Sequence, residues 1–260
     1  MKNPRNILIT GASSGIGEAL AMHYAAPGIY LALSGRDKAR LENVAAQCRQ
    51  RGATVEENII SVTDRDAMRG WIADTDQRHP LDLVIANAGI SGGTGSGGET
   101  EEQVREIFDV NITGVLNTVL PVLPLMEKRK RGQVALMASL ASFSGWPGAP
   151  AYGASKGCVR LYGEALRGAL RGSGVRVSVI CPGFVESRMT AVNGYKMPFL
   201  MGSSRAAGII ARGLANDRGR IFFPWQSAIL AALIASLPLA LNHRILTRLP
   251  KKPARDLKKS

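Results

Sequence analysis

Short apolar runs alternate with longer amphipathic stretches along nearly the whole 260-residue chain, and this alternation limits the folds open to it. The short runs lie at 6–9, 30–33, 55–59, 83–86, 134–137, 176–180 and 221–223. Several are apolar at successive positions, as strands buried on both faces require. Between them, helical patterns occupy 16–26, 38–51, 64–78, 101–129, 153–172 and 203–216. Strand–helix alternation of this kind builds a parallel sheet with right-handed crossovers and helices on both faces. The expectation is an α/β chain with a doubly wound sheet of about seven strands. Two stretches break the rhythm. Residues 91–98 (SGGTGSGG) hold five glycines and read as a flexible loop. Residues 224–249 are strongly apolar and follow the last strand.

Composition removes several classes. With 45% apolar and 20% charged residues, the chain is neither disordered nor of low complexity. Cys48, Cys158 and Cys181 form no CxxC pair, which argues against a disulfide framework or a thiolate zinc site. His23, His79 and His243 stand apart with no metal-ligand spacing, so no metal is expected. The N-terminus passes straight from Arg5 into the first strand, without a secretory apolar region, and a reduced cytoplasmic setting is the default expectation. The net charge of +13 is concentrated. Residues 244–260 carry seven Lys or Arg against Asp256 alone, and Lys128, Arg129, Lys130 and Arg131 form a second cluster. Each reads either as solvated surface or as an attraction to phosphate.

The first strand ends in Thr10-Gly11-Ala12-Ser13-Ser14-Gly15-Ile16-Gly17, and a helix follows at once. Gly11 permits the tight turn, Gly15 lets the backbone approach phosphate, and Gly17 allows close helix–strand packing. The amides and positive dipole of the helix N-terminus then suit a pyrophosphate. Glycine spacing alone is weak, but here it sits in the strand–turn–helix context that the chemistry needs. At the end of strand two, an acidic residue would bond the ribose hydroxyls of a dinucleotide without a 2′-phosphate. The chain instead has Ser34-Gly35-Arg36-Asp37. Arg36 can make a charge-assisted bond to a 2′-phosphate, which favours NADP(H). The alternative is an exposed Arg36 beside an Asp37 that caps the next helix.

With these motifs the chain resembles the short-chain dehydrogenase/reductase family over residues 5 to about 223. The resemblance rests on the ordered set TGASSGIG at 10–17, Asn87-Ala88-Gly89, Asn111, Ser139, Tyr152-Gly-Ala-Ser-Lys156 and Pro182-Gly183. It implies a doubly wound, seven-stranded parallel-sheet Rossmann fold in a single domain, residues 1–223, followed by an extension at 224–260. Tyr152 and Lys156, four apart on a helix, project from one face. A free tyrosine titrates near ~10, so a nearby ammonium helps it exchange protons at neutral pH. By resemblance, Tyr152 is the acid/base, and Lys156 lowers its pKa and binds the nicotinamide ribose. Ser139 holds the substrate oxygen, and Asn111 anchors the water of a proton relay. Ser13, Ser14, Ile16, Asn87, Ala88, Gly89, Pro182, Gly183, Val185 and Ser187 are then cofactor contacts, with Ser187 where the family commonly has threonine. Ser61 and Val62 end strand three; Ser61 replaces the family's usual aspartate, and Asp64 reads as a helix N-cap.

Residues 186–203 match the family's variable substrate lid. Met189, Tyr195, Met197, Phe199, Leu200 and Met201 there either close over an apolar substrate or simply pack the lid. In the extension, the 14 uncharged residues 228–241 fall short of the ~20 that a membrane span needs, and Pro238 interrupts them. Leu241, Ile245, Leu246 and Leu249 share helical spacing, with Asn242, Arg244 and Arg248 on other positions. Docking on its own domain or in a homo-oligomer (dimer or tetramer) is expected slightly ahead of peripheral membrane contact by 225–249. Residues 251–260 read as disordered. Nucleic-acid binding is not expected, since interleaved aromatics are missing. The function expected is hydride transfer between NADP(H) and a small-molecule carbonyl or secondary alcohol. The alternative is a non-catalytic NADP(H) sensor or scaffold recruited through its C-terminal segment.

Overall fold

A computed structural model describes residues 2–95 and 97–254. Seven strands, β1 (Asn6–Thr10), β2 (Tyr30–Gly35), β3 (Thr54–Ile59), β4 (Leu83–Ala86), β5 (Gly132–Met137), β6 (Val175–Pro182) and β7 (Arg220–Phe223), form one sheet. Its order is β3-β2-β1-β4-β5-β6-β7, and every neighbouring pair is parallel. In β1, Ile7 lies opposite Leu31 on one side and Leu83 on the other.

Burial on both faces explains why the strands are apolar at consecutive positions. Leu8 points into a core layer with Val84, Val134 and Val177, while Ile7 and Ile9 point into the opposite layer with Leu31, Leu33 and Ile85. The first layer is covered by α3 (Arg65–Arg78), α4 (Glu101–Phe108), α5 (Gly114–Val119), α6 (Leu123–Lys128) and α7 (Pro150–Ala169), through residues such as Met68, Ile107, Val119, Met126 and Val159. The second is covered by α1 (Gly15–Tyr24), α2 (Lys38–Gln50) and, beyond the short α8 (Arg188–Ala191), α9 (Ser203–Ala215), through Leu20, Leu41 and Ile210. Asp37, Asp64 and Thr100 cap α2, α3 and α4, accepting from the N–H groups of Arg40, Ala67 and Gln103.

The stretch 101–129 is not one regular helix. After α4 the turn widens over Asp109–Thr113 into a π-helical segment, and α6 starts afresh beyond Pro121. The basic cluster also divides. Arg129 donates to the Asp76 carboxylate and the Leu81 carbonyl, both at 2.7 Å, and Arg131 pairs with Asp82 at 2.9 Å. These two arginines tie the α3–β4 corner to β5; Lys128 and Lys130 make no ion pair among the described residues.

Two other expectations are corrected. The glycine-rich loop is packed: Gly92 and Gly93 are buried, the Gly93 carbonyl accepts from Gln103, and the Thr94 N–H donates to the Gly148 carbonyl at 3.1 Å. Of the tail expected to be disordered, 251–254 lie against that loop and Lys252 is buried, while 255–260 fall outside the described residues.

The extension forms α10 (Trp225–Ala235) and α11 (Leu239–Leu246), broken at Pro238. Within α10 only Ala228 is buried. The apolar stripe of α11 divides: Leu246 is buried, and it shares the inward face with Asn242. Asn242 turns inward, donating to the Ile234 carbonyl at 2.8 Å and the Ser144 hydroxyl at 3.3 Å, while Leu239, Leu241 and Ile245 face outward. The expected docking on the chain's own domain therefore covers only a small part of this apolar surface.

Candidate active site

The crevice opens at the carboxyl ends of β1 and β4, where the strand order reverses. Gly11 has φ +66° and Gly15 φ +59°, a region that L side chains rarely occupy. At Gly17 space decides, because a Cβ there would lie 2.2 Å from the Gly11 carbonyl oxygen and 2.6 Å from Asn87 Nδ2. Asn87 stitches the crevice together: its Nδ2 donates to the carbonyls of Thr10 and Gly11 at 2.9 and 3.1 Å. The Thr10 hydroxyl in turn accepts from the N–H groups of Asn87 and Ala88. Ser14 stands at the cap of α1 without a side-chain cap bond, so the first amides of this ten-residue helix are left for an external acceptor. Positive-φ glycines, a helix start without side-chain cap and the close packing at Gly17 fit a dinucleotide pyrophosphate.

At the end of β2, Asp37 is already committed, capping α2 and pairing with Arg40 at 2.8 Å. Arg36 is exposed and makes no ion pair among the described residues, and Ser13 sits 3.1 Å from where a Gly35 Cβ would lie. Beyond β3, the Ser61 and Thr63 hydroxyls are 2.8 Å apart, Asp64 caps α3 as its position suggested, and the Val62 carbonyl accepts from Asn117 at 2.9 Å.

Across the crevice, Ser139 leaves β5 and its Oγ accepts from the Ala141 N–H at 3.1 Å, which fixes it at the start of a 3-10 turn, Leu140–Ser142. Tyr152 stands in the first turn of α7 near the Ser139 hydroxyl, which donates to the Pro182 carbonyl at 3.4 Å. One turn on, Lys156 Nζ donates to the Met137 carbonyl at 2.8 Å and lies 5.9 Å from the centre of the Tyr152 ring. Burial raises the Tyr152 phenol above its ordinary value, opposed by the nearby Ser139 hydroxyl, and burial pulls the Lys156 ammonium down to about 8. Asn111, in the π-helical turn, is fully buried. Its Oδ1 accepts from the Ile90 N–H at 2.8 Å, and its Nδ2 donates to the Ile90 carbonyl and the Ser155 hydroxyl at 3.0 and 2.9 Å. A Cβ on Gly89 would sit 3.1 Å from Asn111 Oδ1 and 3.2 Å from Lys156 Nζ, so the loop after β4 runs directly between them.

A family model described as short chain dehydrogenase matches residues 5–197. The chain belongs to the short-chain dehydrogenase family. An uncharacterised oxidoreductase of Myxococcus xanthus is 41% identical over 90% of this chain and 93% of that protein. A 1-deoxy-11-beta-hydroxypentalenate dehydrogenase of Streptomyces exfoliatus is 34% identical over 84% of this chain and 82% of that one. Among solved structures, a short-chain dehydrogenase from Sphingobium yanoikuyae in complex with NADPH superposes with a TM-score of 0.79 at 25% identity, over 97% of this chain and 99% of that one. One from Burkholderia phymatum in complex with NAD reaches 0.82 at 23% identity, over 98% and 99%, and speaks for the fold alone.

In this short-chain dehydrogenase the segment expected to be a lid, 186–203, is pinned at its base. Val185 and Met201 form a parallel bridge, the Glu186 N–H donates to the Met201 carbonyl, and the Met201 N–H donates to that of Phe184. Pro182 and Gly183 run alongside β7, the Gly183 N–H donating to the Phe223 carbonyl at 2.7 Å. Ser187 and Thr190 form a reciprocal cap on α8, and Ser187 Cβ lies 3.0 Å from where a Gly15 Cβ would be. Of the expected apolar lid residues, Met201 is buried, Tyr195 meets the Phe184 ring edge-on at 6.3 Å, and Phe199 and Leu200 are exposed. Four positioning residues escaped the sequence reading. Thr190 bonds the Val185 carbonyl, Ser155 holds Asn111, Glu99 accepts from the Ala151 N–H at the start of α7, and Lys252 reaches the Tyr152 ring. None of the four carried a local signal; Glu99 lies 52 positions before the Ala151 N–H that it accepts from.

Proposed function

We propose that the chain is an NADP(H)-dependent oxidoreductase acting on a carbonyl compound or the corresponding secondary alcohol, with Tyr152 as acid/base. The observation that carries this reading is the buried Lys156, whose ammonium lies 5.9 Å from the centre of the Tyr152 ring and beside Gly89 of the crevice, with the Ser139 hydroxyl near the same phenol. The α1 amides, Gly15 and Ser187 would hold the pyrophosphate and nicotinamide side of the cofactor; Lys156 would reach its ribose. When bound, the nicotinamide supplies or accepts the hydride. In the reductive direction the substrate oxygen gains negative charge; Tyr152 gives it the phenolic proton, and the Ser139 hydroxyl donates a second hydrogen bond. In oxidation Tyr152 takes the alcohol proton back. Asn111 and Ser155 hold the Ile90 loop against Lys156, which keeps the ammonium facing the ring, and the free lone pair of Asn111 Oδ1 is available to a relay water.

NADP(H) is favoured over NAD(H) because Asp37 is occupied by its cap and by Arg40, while Arg36 has no partner among the described residues. Side-by-side titration should give tight NADPH and weak NADH binding. Arg36→Ala should weaken NADPH about tenfold or more and leave NADH unchanged; equal losses would refute the assignment. Tyr152→Phe should remove turnover and retain cofactor binding. A biological effect that survives Tyr152→Phe would favour the non-catalytic sensor or scaffold.

The C-terminal helices support a seat on an anionic membrane surface. Trp225, Leu233 and Leu239 are each more than 60% exposed, and no Asp or Glu occurs from Arg218 to Arg255. Exposed Arg244, Arg248 and Lys251 follow directly. Outward apolar side chains with basic, acid-free flanks suit the interface of an anionic bilayer. Flotation with phosphatidylglycerol vesicles, lost in Trp225→Ser/Leu233→Ser, is the expected result. No flotation, with the same double variant converting an oligomer to monomers, would assign the surface to a homo-oligomer instead.

A further inference from the structure

The glycine-rich loop and the far end of the chain lie about 155 positions apart in the sequence, and the fold brings them together at the catalytic tyrosine. The Gly95 N–H donates to the Lys252 carbonyl at 3.0 Å. A Cβ on Gly93 would fall 2.4 Å from both the Cβ and the carbonyl oxygen of Lys252 and 2.6 Å from the Gly148 oxygen, so only glycine leaves room for the strap. Ala254 lies along Gly95 in the same way. The strap thus runs over a track of glycines whose other side is bonded to Gly148, just before α7.

Seated this way, Lys252 is 7% exposed and its Nζ lies 5.6 Å from the centre of the Tyr152 ring. Among the described residues no carboxylate lies within ion-pair distance of that ammonium. Glu99, at the end of the loop, accepts from the Ala151 N–H instead. Lys156, on the same ring, is bonded to the Met137 carbonyl, so Lys252 is the cation that remains available. Burying an ammonium without a counter-ion is costly, and the cost falls when an anion enters beside it. Burial pulls Lys252 down to about 8, which leaves it mostly protonated at neutral pH.

We propose that Lys252 anchors the substrate: its ammonium, held beside Tyr152 by the strap, binds a carboxylate carried by the carbonyl or alcohol substrate. This rests on the reading of Tyr152 as the acid/base group and adds a substrate class, oxo- and hydroxy-acids with an otherwise apolar body. A single compact cation matches one monoanion, whereas a phosphate dianion would leave charge uncompensated. The ammonium fixes one end of the molecule while Ser139 and Tyr152 hold its reacting oxygen, the two-point hold that orientation requires.

The test uses the full chain with NADP+ and two probes of one shape, cyclohexanecarboxylate and cyclohexanecarboxamide, titrated calorimetrically. The carboxylate is expected to bind at least about tenfold more tightly than the amide. Lys252→Met should weaken the carboxylate about 10- to 100-fold and leave the amide within about twofold, and Lys252→Arg should restore part of the loss. Equal binding of the carboxylate by wild type and Lys252→Met would overturn the proposal, as would equal losses of both probes. Tighter binding of both by Lys252→Met would show the strap to be a plug. Turnover plays no part in these titrations, so the catalytic reading fails separately: 4-oxocyclohexanecarboxylate would bind yet consume no NADPH.

Discussion

Lys156 is held in the core next to Tyr152 at a cost to stability, and replacing it by methionine should make the protein more stable while abolishing its activity. Burial draws the ammonium from an ordinary 10.5 down to about 8. Below pH 8 the lysine is protonated in both the folded and unfolded states, and the folded state carries the whole penalty, about 3 kcal/mol. Between pH 8 and 10.5 the unfolded chain keeps a proton that the folded chain has released, so wild-type stability rises with pH as the penalty fades. Methionine keeps the aliphatic stem and removes the charge, but gives up the bond to the Met137 carbonyl, worth about 1 kcal/mol. The expected net gain at pH 7 is about 2 kcal/mol, or roughly 4–8 °C in Tm for a chain of this size. Urea unfolding of both proteins without cofactor, at pH 7 and pH 10, measures it. The gap should be large at pH 7 and shrink or reverse at pH 10. A Lys156→Met protein less stable than wild type at pH 7 would refute the reasoning, because the ammonium would then be paid for by contacts stronger than its desolvation.

Three other perturbations have expected outcomes. Gly17→Ala forces a Cβ against the Gly11 carbonyl, and since that neighbour is backbone it should cost about 1–3 kcal/mol in thermal stability and weaken dinucleotide binding in parallel. Asp76→Ala leaves the Leu81 N–H and the Arg129 guanidinium without their shared acceptor, so urea unfolding should show a loss of about 3–5 kcal/mol with cofactor affinity unchanged. Because burial holds the Tyr152 phenol above its ordinary value, alcohol oxidation, which needs the phenolate, should climb steadily with pH from 7 to 10. Carbonyl reduction, which needs the phenol, should stay flat over the same range, and an oxidation rate already level below pH 7 would contradict the assignment.

All seven strands were legible in the sequence because each is short and set off by helical stretches, and several are apolar at consecutive positions. The glycine turn and the Tyr152/Lys156 pair were legible for a related reason: their chemistry depends on local spacing, one strand-to-helix turn in the first case and one helical turn in the second. What stayed hidden depends on pairs far apart in the chain. The widened turn at Asp109–Thr113 exists because Asn111 must reach both Ile90 and Ser155, and neither partner shows in the pattern of a helix that looks continuous.

The chain end hid its role for a physical reason that applies to both of its misread segments. A run of glycines reads as freedom when it stands alone, and a basic tail reads as solvated when it stands alone. Together they are a track and its occupant, since the Cβ atoms missing at Gly93 and Gly95 are the space that 252–254 fill. The same holds for α11, where Asn242 finds Ile234 and Ser144 inside, next to the buried Leu246, while Leu239, Leu241 and Ile245 stay outside. A buried amide with two partners takes the inward face together with Leu246, because leaving it unpaired costs more than exposing Leu241 on a surface that already carries α10. Sequence periodicity reports which residues share a face. Which face turns inward is decided by the polar groups that must be satisfied there, and in α11 that rule brings Asn242 inside and leaves Leu239, Leu241 and Ile245 outside.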